Sequence, residues 1–390
     1  MRAGVWYLSG RHLRTHWDQA TVLVLCYAVV FFIPSAAELL IDRYERELMA
    51  RAGSTPLVAG ARGNRFDLTL AALYFRQANL EPVPVTEADA LQEEEGILAI
   101  PLNVRHTARK VPIVATSPEY FEWRALEAKS GTLPLQLGDV VLGARAAESM
   151  GLSAGEALFS DPSDLYDISK PPALKMRITG VLEETGRADD DVVFVDIKTA
   201  WILEGVSHAH QDVTKDLDPK LVLGRSEDQI VVSPALVTYQ EVTEDNVASF
   251  HYHGDRVLLP LTAILVVPET AKIQTMLKAR INTAKVYQMV VPKEVMEDLM
   301  SIVFRVKTLF EGLWGLLAGA TIALTGLVWW LSTRLRAAEM QTLERLGCRR
   351  FTVAWLYVTE FSWILFASVI LTLLGLWLTS WLLPRWFLLV

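Results

Sequence analysis

Residues Gly312–Leu331 read GLWGLLAGATIALTGLVWWL and residues Phe361–Leu383 read FSWILFASVILTLLGLWLTSWLL, and neither run contains an ionisable side chain. An α-helix rises about 1.5 Å per residue, so each run is long enough to cross a hydrocarbon core of about 30 Å. A third apolar run, Ala20–Ile41, lies near the N-terminus. It is too long for the apolar region of a cleaved signal, contains Pro34 and Glu38, and passes into the charged stretch Asp42–Arg51 without a small-residue cleavage site, so it reads as an uncleaved anchor. The layout is one helix, roughly 260 more polar residues, then two helices. That predicts an α-helical membrane domain of three transmembrane helices and a large external domain of mixed α+β structure.

The arginines orient these spans. Arg2, Arg11 and Arg14 face a single acid, Asp18, before the first run, and Arg334, Arg336, Arg345, Arg349 and Arg350 outnumber Glu339 and Glu344 between the last two. Basic excess in short flanking segments marks the cytoplasmic side, while long domains cross regardless of charge. Trp329 and Trp330 at one helix end and Trp377, Trp381 and Trp386 at another suit aromatic belts. The expected division is a cytoplasmic segment 1–19, a span 20–41, an external domain 42–307, a span 308–333, a cytoplasmic loop 334–354, a span 355–383 and an external tail 384–390.

A net charge of −8 in 390 residues argues against the basic surface of an ordinary nucleic-acid binder. Cys26 falls in a span and Cys348 in the cytoplasmic loop, so the two thiols occupy different compartments and the external domain folds without a disulfide.

Within that domain, Glu38–Ala52 continues the helical spacing of the first span through Leu39, Leu40, Tyr44 and Leu48, and Pro292–Lys307 runs helically into the second. Both are expected to be helical stalks carrying the domain. Strands are expected at Gly96–Ile100, Val111–Ala115, Val140–Leu142, Met176–Leu182, Val192–Val195, Ile230–Val232 and Ala263–Val267, and helices at Phe66–Ala78, Ala144–Met150, Lys198–Leu203 and Thr270–Ile281. Ser160–Pro172 and Val206–Asp228 read as polar loops.

Two stretches go beyond pattern. Gly138-Asp139-Val140-Val141-Leu142-Gly143, followed by Ala147–Leu152 and Gly155, then Ile178–Leu182, Thr185-Gly186 and Asp191–Val195, resembles the external core domain of MacB-like permeases of ABC transporters. Arg336–Gly347 resembles the short cytoplasmic coupling helix of FtsX-like and MacB-like permeases, the superfamily that includes lipoprotein-releasing and macrolide-exporting systems. Met340, Leu343 and Leu346 fall on one helical face, Glu339, Glu344 and Arg345 elsewhere, and Gly347 can end the helix in a left-handed turn. A plain helix lying on lipid headgroups has the same pattern.

The resemblance implies a non-catalytic subunit in a bacterial inner membrane, with its large domain in the periplasm. It further implies a dimer or pseudo-dimer of permeases and a separate ABC ATPase that binds ATP and magnesium and grips Glu339, Met340, Leu343, Glu344, Leu346 and Gly347. A periplasmic adaptor or cargo protein is the expected external partner, and membrane lipid surrounds the spans. No G-x-x-x-x-G-K-[ST] phosphate loop occurs in the chain, which agrees with an ATPase on another chain. The family usually has four spans, whereas only Pro384–Val390 follow the third run here, so either the spans number three or the fourth lies outside this sequence.

His208-Ala209-His210-Gln211-Asp212 and His251-Tyr252-His253-Gly254-Asp255 form two similar clusters. Residues i and i+2 of an extended segment share a side, so His208 with His210 and His251 with His253 are candidate zinc ligands, with Asp212 and Asp255 as oxygen ligands or ring orienters. The plainer reading is solvated histidines in an acidic domain. On the metal reading the protein is a membrane-tethered periplasmic sensor or metal-homeostasis component. Glu38 and Glu311 are candidates for a proton path or, more simply, polar ends of spans at the outer interface.

Overall fold

The structure, a computed structural model, describes residues 2–133, 136–161, 173–209, 222–225, 230–232, 240–243, 246–247, 250–252, 256, 259–284, 286–335, 345 and 350–386. Its contacts divide the chain into a membrane unit, Met1–Arg46 with Met300–Val390, and a sheet unit, Glu47–Leu299.

The chain opens with α1 (Arg2–Thr15) and α2 (Trp17–Gly53). The sheet unit then runs β1 (Leu57–Ala61), α3 (Arg65–Tyr74), β2 (Val83–Pro84), α4 (Val85–Gln92), β3 (Ile97–Ala108), β4 (Val111–Thr116), α5 (Glu119–Arg124), β5 (Ala128–Gly131), β6 (Asp139–Leu142), α6 (Ala144–Met150), β7 (Ala157–Phe159) and β8 (Leu174–Leu182). A 3-10 turn, Ala188–Asp191, leads into β9 (Val193–Asp196) and α7 (Ile197–Leu203). Short strands β10 (Ser207–Ala209), β11 (Val222–Arg225), β12 (Ile230–Val232), β13 (Gln240–Glu241), β14 (Phe250–Tyr252) and β15 (Pro260–Leu261) come before β16 (Ala263–Pro268), α8 (Ala271–Ala284) and β17 (Tyr287–Val290).

Among the described residues, eleven strands form one mixed sheet whose main path is β13-β8-β6-β9-β4-β3-β16-β1-β17, with β5 and β7 also paired to β8. The pairs β4–β9, β6–β8 and β13–β8 are parallel and the others antiparallel. Two hydrophobic clusters lie along it. One gathers Leu57, Val85, Leu91, Ile264 and Leu277. The other gathers Ile113, Val140, Leu142, Ile178, Val193 and Ile202. Burying an aliphatic side chain of this size contributes about 1.5–3 kcal/mol, so both clusters favour the folded sheet. The twelve-residue β3 joins them, because Ile97 and Ala99 belong to the first cluster and Ala108 to the second.

β3 is longer than its expected span, and it ends in a two-residue turn at Arg109 and Lys110, both with positive φ, at 50° and 68°. Such a turn ordinarily calls for Asn or Gly, and neither is present to announce it. Asp161 holds it instead: Arg109 N donates to Oδ1 at 2.9 Å, Lys110 N to Oδ2 at 2.7 Å, and Thr107 Oγ1 to Oδ2 at 2.7 Å. The stretch Val206–Asp228, expected as loop, contains β10 and β11, whose three and four residues are too short for a periodic signal.

The membrane unit is completed by α9 (Pro292–Leu335) and α10 (Arg350–Trp386). Three helices of the described residues are long and apolar enough to cross a membrane: Trp17–Gly53, Pro292–Val328 and Trp355–Trp381. Small and hydroxylated residues bring α2 and α10 together. Ser368 Oγ reaches the carbonyl of Val24 at 3.1 Å, Thr372 Oγ1 that of Ala28 at 3.3 Å, and a Cβ on Gly375 would lie 2.9 Å from the Phe32 ring. This is the close backbone approach that lipid-embedded helices use in place of a hydrophobic drive. Tyr27 of α2 donates to Thr325 Oγ1 of α9 at 2.7 Å. The N-terminal segment is itself helical: α1 packs on α10 through Trp6 against Trp363, with ring centroids 5.7 Å apart, and through His12 Nδ1, 3.1 Å from Glu360.

Candidate functional site

A buried network of polar side chains in the sheet unit surrounds the last turns of α2. Arg51 is buried, and its guanidinium makes a two-pronged contact with the fully buried Asp189, through Nη1 to Oδ2 and through Nη2 to Oδ1 at 3.1 Å. The same Nη2 donates to Tyr120 OH at 3.0 Å, and Tyr120 OH donates to Asp189 Oδ1 at 2.5 Å. One residue of α2, one of α5 and one of the Ala188–Asp191 turn thus form a closed triangle. Arg51 also lies over the Phe75 ring, 5.2 Å from its centroid. Arg124, at the end of α5, reaches back to the residues just after α2, donating to Ser54 Oγ at 2.9 Å and Thr55 Oγ1 at 2.8 Å while lying 4.0 Å from the Trp123 ring centroid. Tyr74 OH donates to the Leu48 carbonyl at 2.7 Å, one turn earlier on α2.

Local sequence builds each part. Asn64 caps α3 by accepting from Phe66 N, and α3 delivers Tyr74 and Phe75 at its end. The turn 188–191 carries three successive aspartates, the first paired with Arg51 and the other two sharing Arg145. Asp190 accepts from Thr185 N at 2.9 Å and Gly186 N at 2.7 Å and pairs with Arg145 Nη1 at 3.0 Å, and Asp191 pairs with Arg145 as well. Gly143, at the start of α6, is required by this turn, since a Cβ there would sit 2.4 Å from the Asp189 carbonyl oxygen. Gly151 ends α6 at φ 64°, in the left-handed region glycine favours.

The electrostatics follow from burial and pairing. Burial by itself would raise the Asp189 carboxyl, but the Arg51 charge and hydrogen bonds from Arg51 and Tyr120 outweigh it and hold the group below the usual carboxylate range. Burial would likewise lower Arg51, yet Tyr120 and Asp189 push it above its ordinary value. Tyr120 is raised, chiefly by burial. Arg124 is lowered, chiefly by burial. The arrangement is a clamp, charged at neutral pH, that fastens the end of α2 to the turn 188–191 and to α5. Sequence reading had no signal for it beyond Thr185-Gly186 and the aspartate run.

Of the residues singled out from sequence, Glu339, Met340, Leu343, Glu344, Leu346 and Gly347 lie outside the described residues. So do His210, Asp212, His253 and Asp255. His208 and His251 lie inside, and the structure pairs them: β10 and β14 run antiparallel with His208 opposite His251. Among the described residues no group of three or more His, Cys, Asp or Glu is placed to hold a metal. Glu38 is 3.5 Å from Lys307 Nζ, an ion pair between α2 and α9 within the membrane unit.

No protein-family model matches the chain, and no curated protein matches it. Solved structures similar to part of it include the periplasmic region of MacB from Actinobacillus actinomycetemcomitans, 10% identical with a TM-score of 0.36 over 63% of this chain and 92% of that one. The extracellular domain of the ABC-type transporter YknZ from Gram-positive bacteria is 11% identical with a TM-score of 0.34, over 60% of this chain and 98% of that one.

Proposed function

We propose that the chain is a membrane permease subunit of an ABC transport system, converting ATP hydrolysis on a separate ATPase subunit into movement of an external domain. The observation that carries this reading is the clamp on α2. The last turns of α2 and the two residues after it, Leu48 to Thr55, belong to the sheet unit and are held within it by Arg51–Asp189, Tyr74–Leu48 and Arg124–Thr55. A mechanical transmitter needs such an attachment, because force is lost wherever a helix joins its load through a loose segment. The order of helix, sheet domain and two further helices, with the likeness of Arg336–Gly347 to a coupling helix, supports the same reading.

In this mechanism the ATPase, with its ATP and magnesium, grips Met340, Leu343 and Leu346, flanked by Glu339, Glu344 and Gly347. Helices α9 and α10 receive the push, and the stalks Glu38–Ala52 and Pro292–Lys307 deliver it beyond a bacterial inner membrane. The permease works as a dimer or pseudo-dimer, and its external domain extrudes cargo from the periplasmic face, with or without an adaptor, or activates a partner protein there. Affinity isolation of the full-length protein from native membranes, with identification of every retained subunit, tests the reading. Recovery of an ABC ATPase in stoichiometric amount supports it; its consistent absence from an otherwise intact preparation rejects it and leaves a sensing or metal-binding role.

A further inference from the structure

Between α2, α9 and α10 runs a groove of about 580 Å³, whose walls include Tyr27 and Phe31 of α2, Ala318 and Ile322 of α9, and Phe361 and Leu365 of α10. It lies wholly within the membrane unit, on the three helices apolar enough to cross a membrane. Three of its lining residues carry hydroxyls, and each hydroxyl hydrogen is already committed. Tyr27 OH donates to Thr325 Oγ1 at 2.7 Å, Thr325 Oγ1 to the Thr321 carbonyl at 2.7 Å, and Thr321 Oγ1 to the Leu317 carbonyl at 2.9 Å. The groove therefore presents carbon to an occupant. A polar molecule would surrender its hydrogen bonds there and water would lack the two or more polar partners it needs, whereas an aliphatic chain gains dispersion contacts and gives up nothing.

Depth narrows the choice further. α2 and α10 run in the same direction, since Val24 meets Ser368 and Ala28 meets Thr372, and α9 runs against them, since Tyr27 meets Thr325 and Glu38 meets Lys307. Trp17, Trp355 and Arg334 consequently share one end of the bundle. Both tryptophans are exposed, and Arg334 lies over the Trp330 ring, 4.6 Å from its centroid. Aromatic rings and a cation at such a level mark a membrane–water interface. At 1.5 Å per residue, Val358 and Leu365 lie about 4.5 and 15 Å inward of Trp355, and Tyr27 about 15 Å inward of Trp17. Half of a 30 Å hydrocarbon core is about 15 Å, so the groove extends from beneath that interface to the midplane, the reach of one leaflet's acyl chain.

We propose that the groove holds one acyl chain of a membrane phospholipid, drawn from the leaflet at the Trp17 and Arg334 end, with its anionic phosphate near Arg334. By the arginine distribution this is the cytoplasmic leaflet. The bound lipid would then be a constituent of the three-helix packing, seated apart from the lipid that bathes its outer surface.

The test reconstitutes full-length protein into vesicles of phosphatidylcholine and phosphatidylglycerol containing a trace of phosphatidylglycerol with a photoreactive diazirine midway along one chain. Labelled residues are mapped by mass spectrometry after irradiation. The proposal expects labelling of Tyr27, Ile322 and Phe361 at least about tenfold above that of Leu324 and Phe366, exposed residues of similar depth outside the groove. A Cβ on Gly326 would meet nothing within 4 Å, so Gly326→Phe can fill the groove from its wall; groove labelling should fall at least about tenfold while Leu324 and Phe366 keep theirs. Arg334→Gln should weaken labelling by phosphatidylglycerol about fivefold, the worth of one cation at an anionic surface, and leave labelling by the matching phosphatidylcholine probe unmoved. Equal labelling of groove and outward residues in the unsubstituted protein, as bulk lipid gives, would overturn the proposal without recourse to any variant. Unchanged groove labelling in Gly326→Phe would overturn it as well, as would cross-links from Ile322 to a second copy in place of lipid. Phosphatidylglycerol labelling indifferent to Arg334→Gln would overturn the placement of the phosphate.

Discussion

Arg51 and Asp189 stand 138 positions apart in the sequence, and their side chains meet by a two-pronged contact with almost no solvent exposure, 5% and 0%. Tyr120 closes the triangle, so the carboxylate has a partner for each oxygen. A buried pair of this kind is weak evidence of net stabilisation, since desolvation offsets most of the attraction, yet removing one partner strands a charge in the interior. Asp189→Leu or Arg51→Met should therefore each destabilise the protein by about 3–5 kcal/mol, and Arg51→Met with Asp189→Leu by much less than their sum. Denaturant unfolding of the four proteins measures the coupling; simple additivity would show that the pair does not act as a unit.

The same pair sets a pH dependence. Asp189 is held below the ordinary carboxylate range, so its contribution is fully present above the unfolded value of about 3.9 and is lost as pH falls through the lower folded value. Unfolding free energy of the unsubstituted protein should decline on acidification below about pH 4, and Asp189→Asn should flatten that limb while lowering the neutral plateau. A limb of unchanged slope in the variant would assign acid sensitivity to other carboxylates.

The turn at Arg109 and Lys110 uses positive φ without glycine. Lys110→Gly should stabilise by about 1 kcal/mol, because a side chain in the left-handed region costs about that much and glycine pays none. Asp161→Ala should cost about 1–3 kcal/mol by leaving two turn amides and Thr107 without their acceptor. Thermal unfolding midpoints that move in the same direction for both variants would contradict this account.

In the membrane unit two glycines should respond in opposite ways. Gly375→Leu drives a side chain into Phe32 and should loosen α2 from α10, lowering the melting temperature in detergent. Gly315 has nothing within 4 Å of the position a Cβ would take, so Gly315→Leu should leave the protomer intact. If permeases associate through α9, that substitution should instead weaken self-association, which light scattering or cross-linking in detergent would report.

Leu343→Asp with Leu346→Asp should abolish retention of the partner ATPase while leaving the melting temperature of the sheet unit unchanged. The measurement is co-purification from native membranes, and undiminished recovery of the ATPase would remove the coupling assignment from residues 336–347.

Much of the architecture was legible in one dimension. A run of about twenty apolar residues can meet the requirement of a bilayer wherever it occurs, so the three candidate spans near Ala20, Gly312 and Phe361 needed no neighbours to be recognised. The strands β4, β6, β8, β9 and β16 announced themselves through β-branched runs, and α6 through the glycines that bracket it. The short strands did not, since three residues carry no period, and the β3–β4 turn did not, since it lacks Asn and Gly. His-x-His spacing was visible, but the register that sets His208 against His251 arises only when two strands pair. The pairing at the centre of the clamp around Arg51 was not legible, because which arginine meets which aspartate is decided by how helices and turns pack, not by any residue's immediate neighbours. Local composition sets which segments enter lipid or extend into strands; contacts across long stretches of chain depend on tertiary packing, and in this protein those contacts form both the fastening of α2 and the opposed histidines.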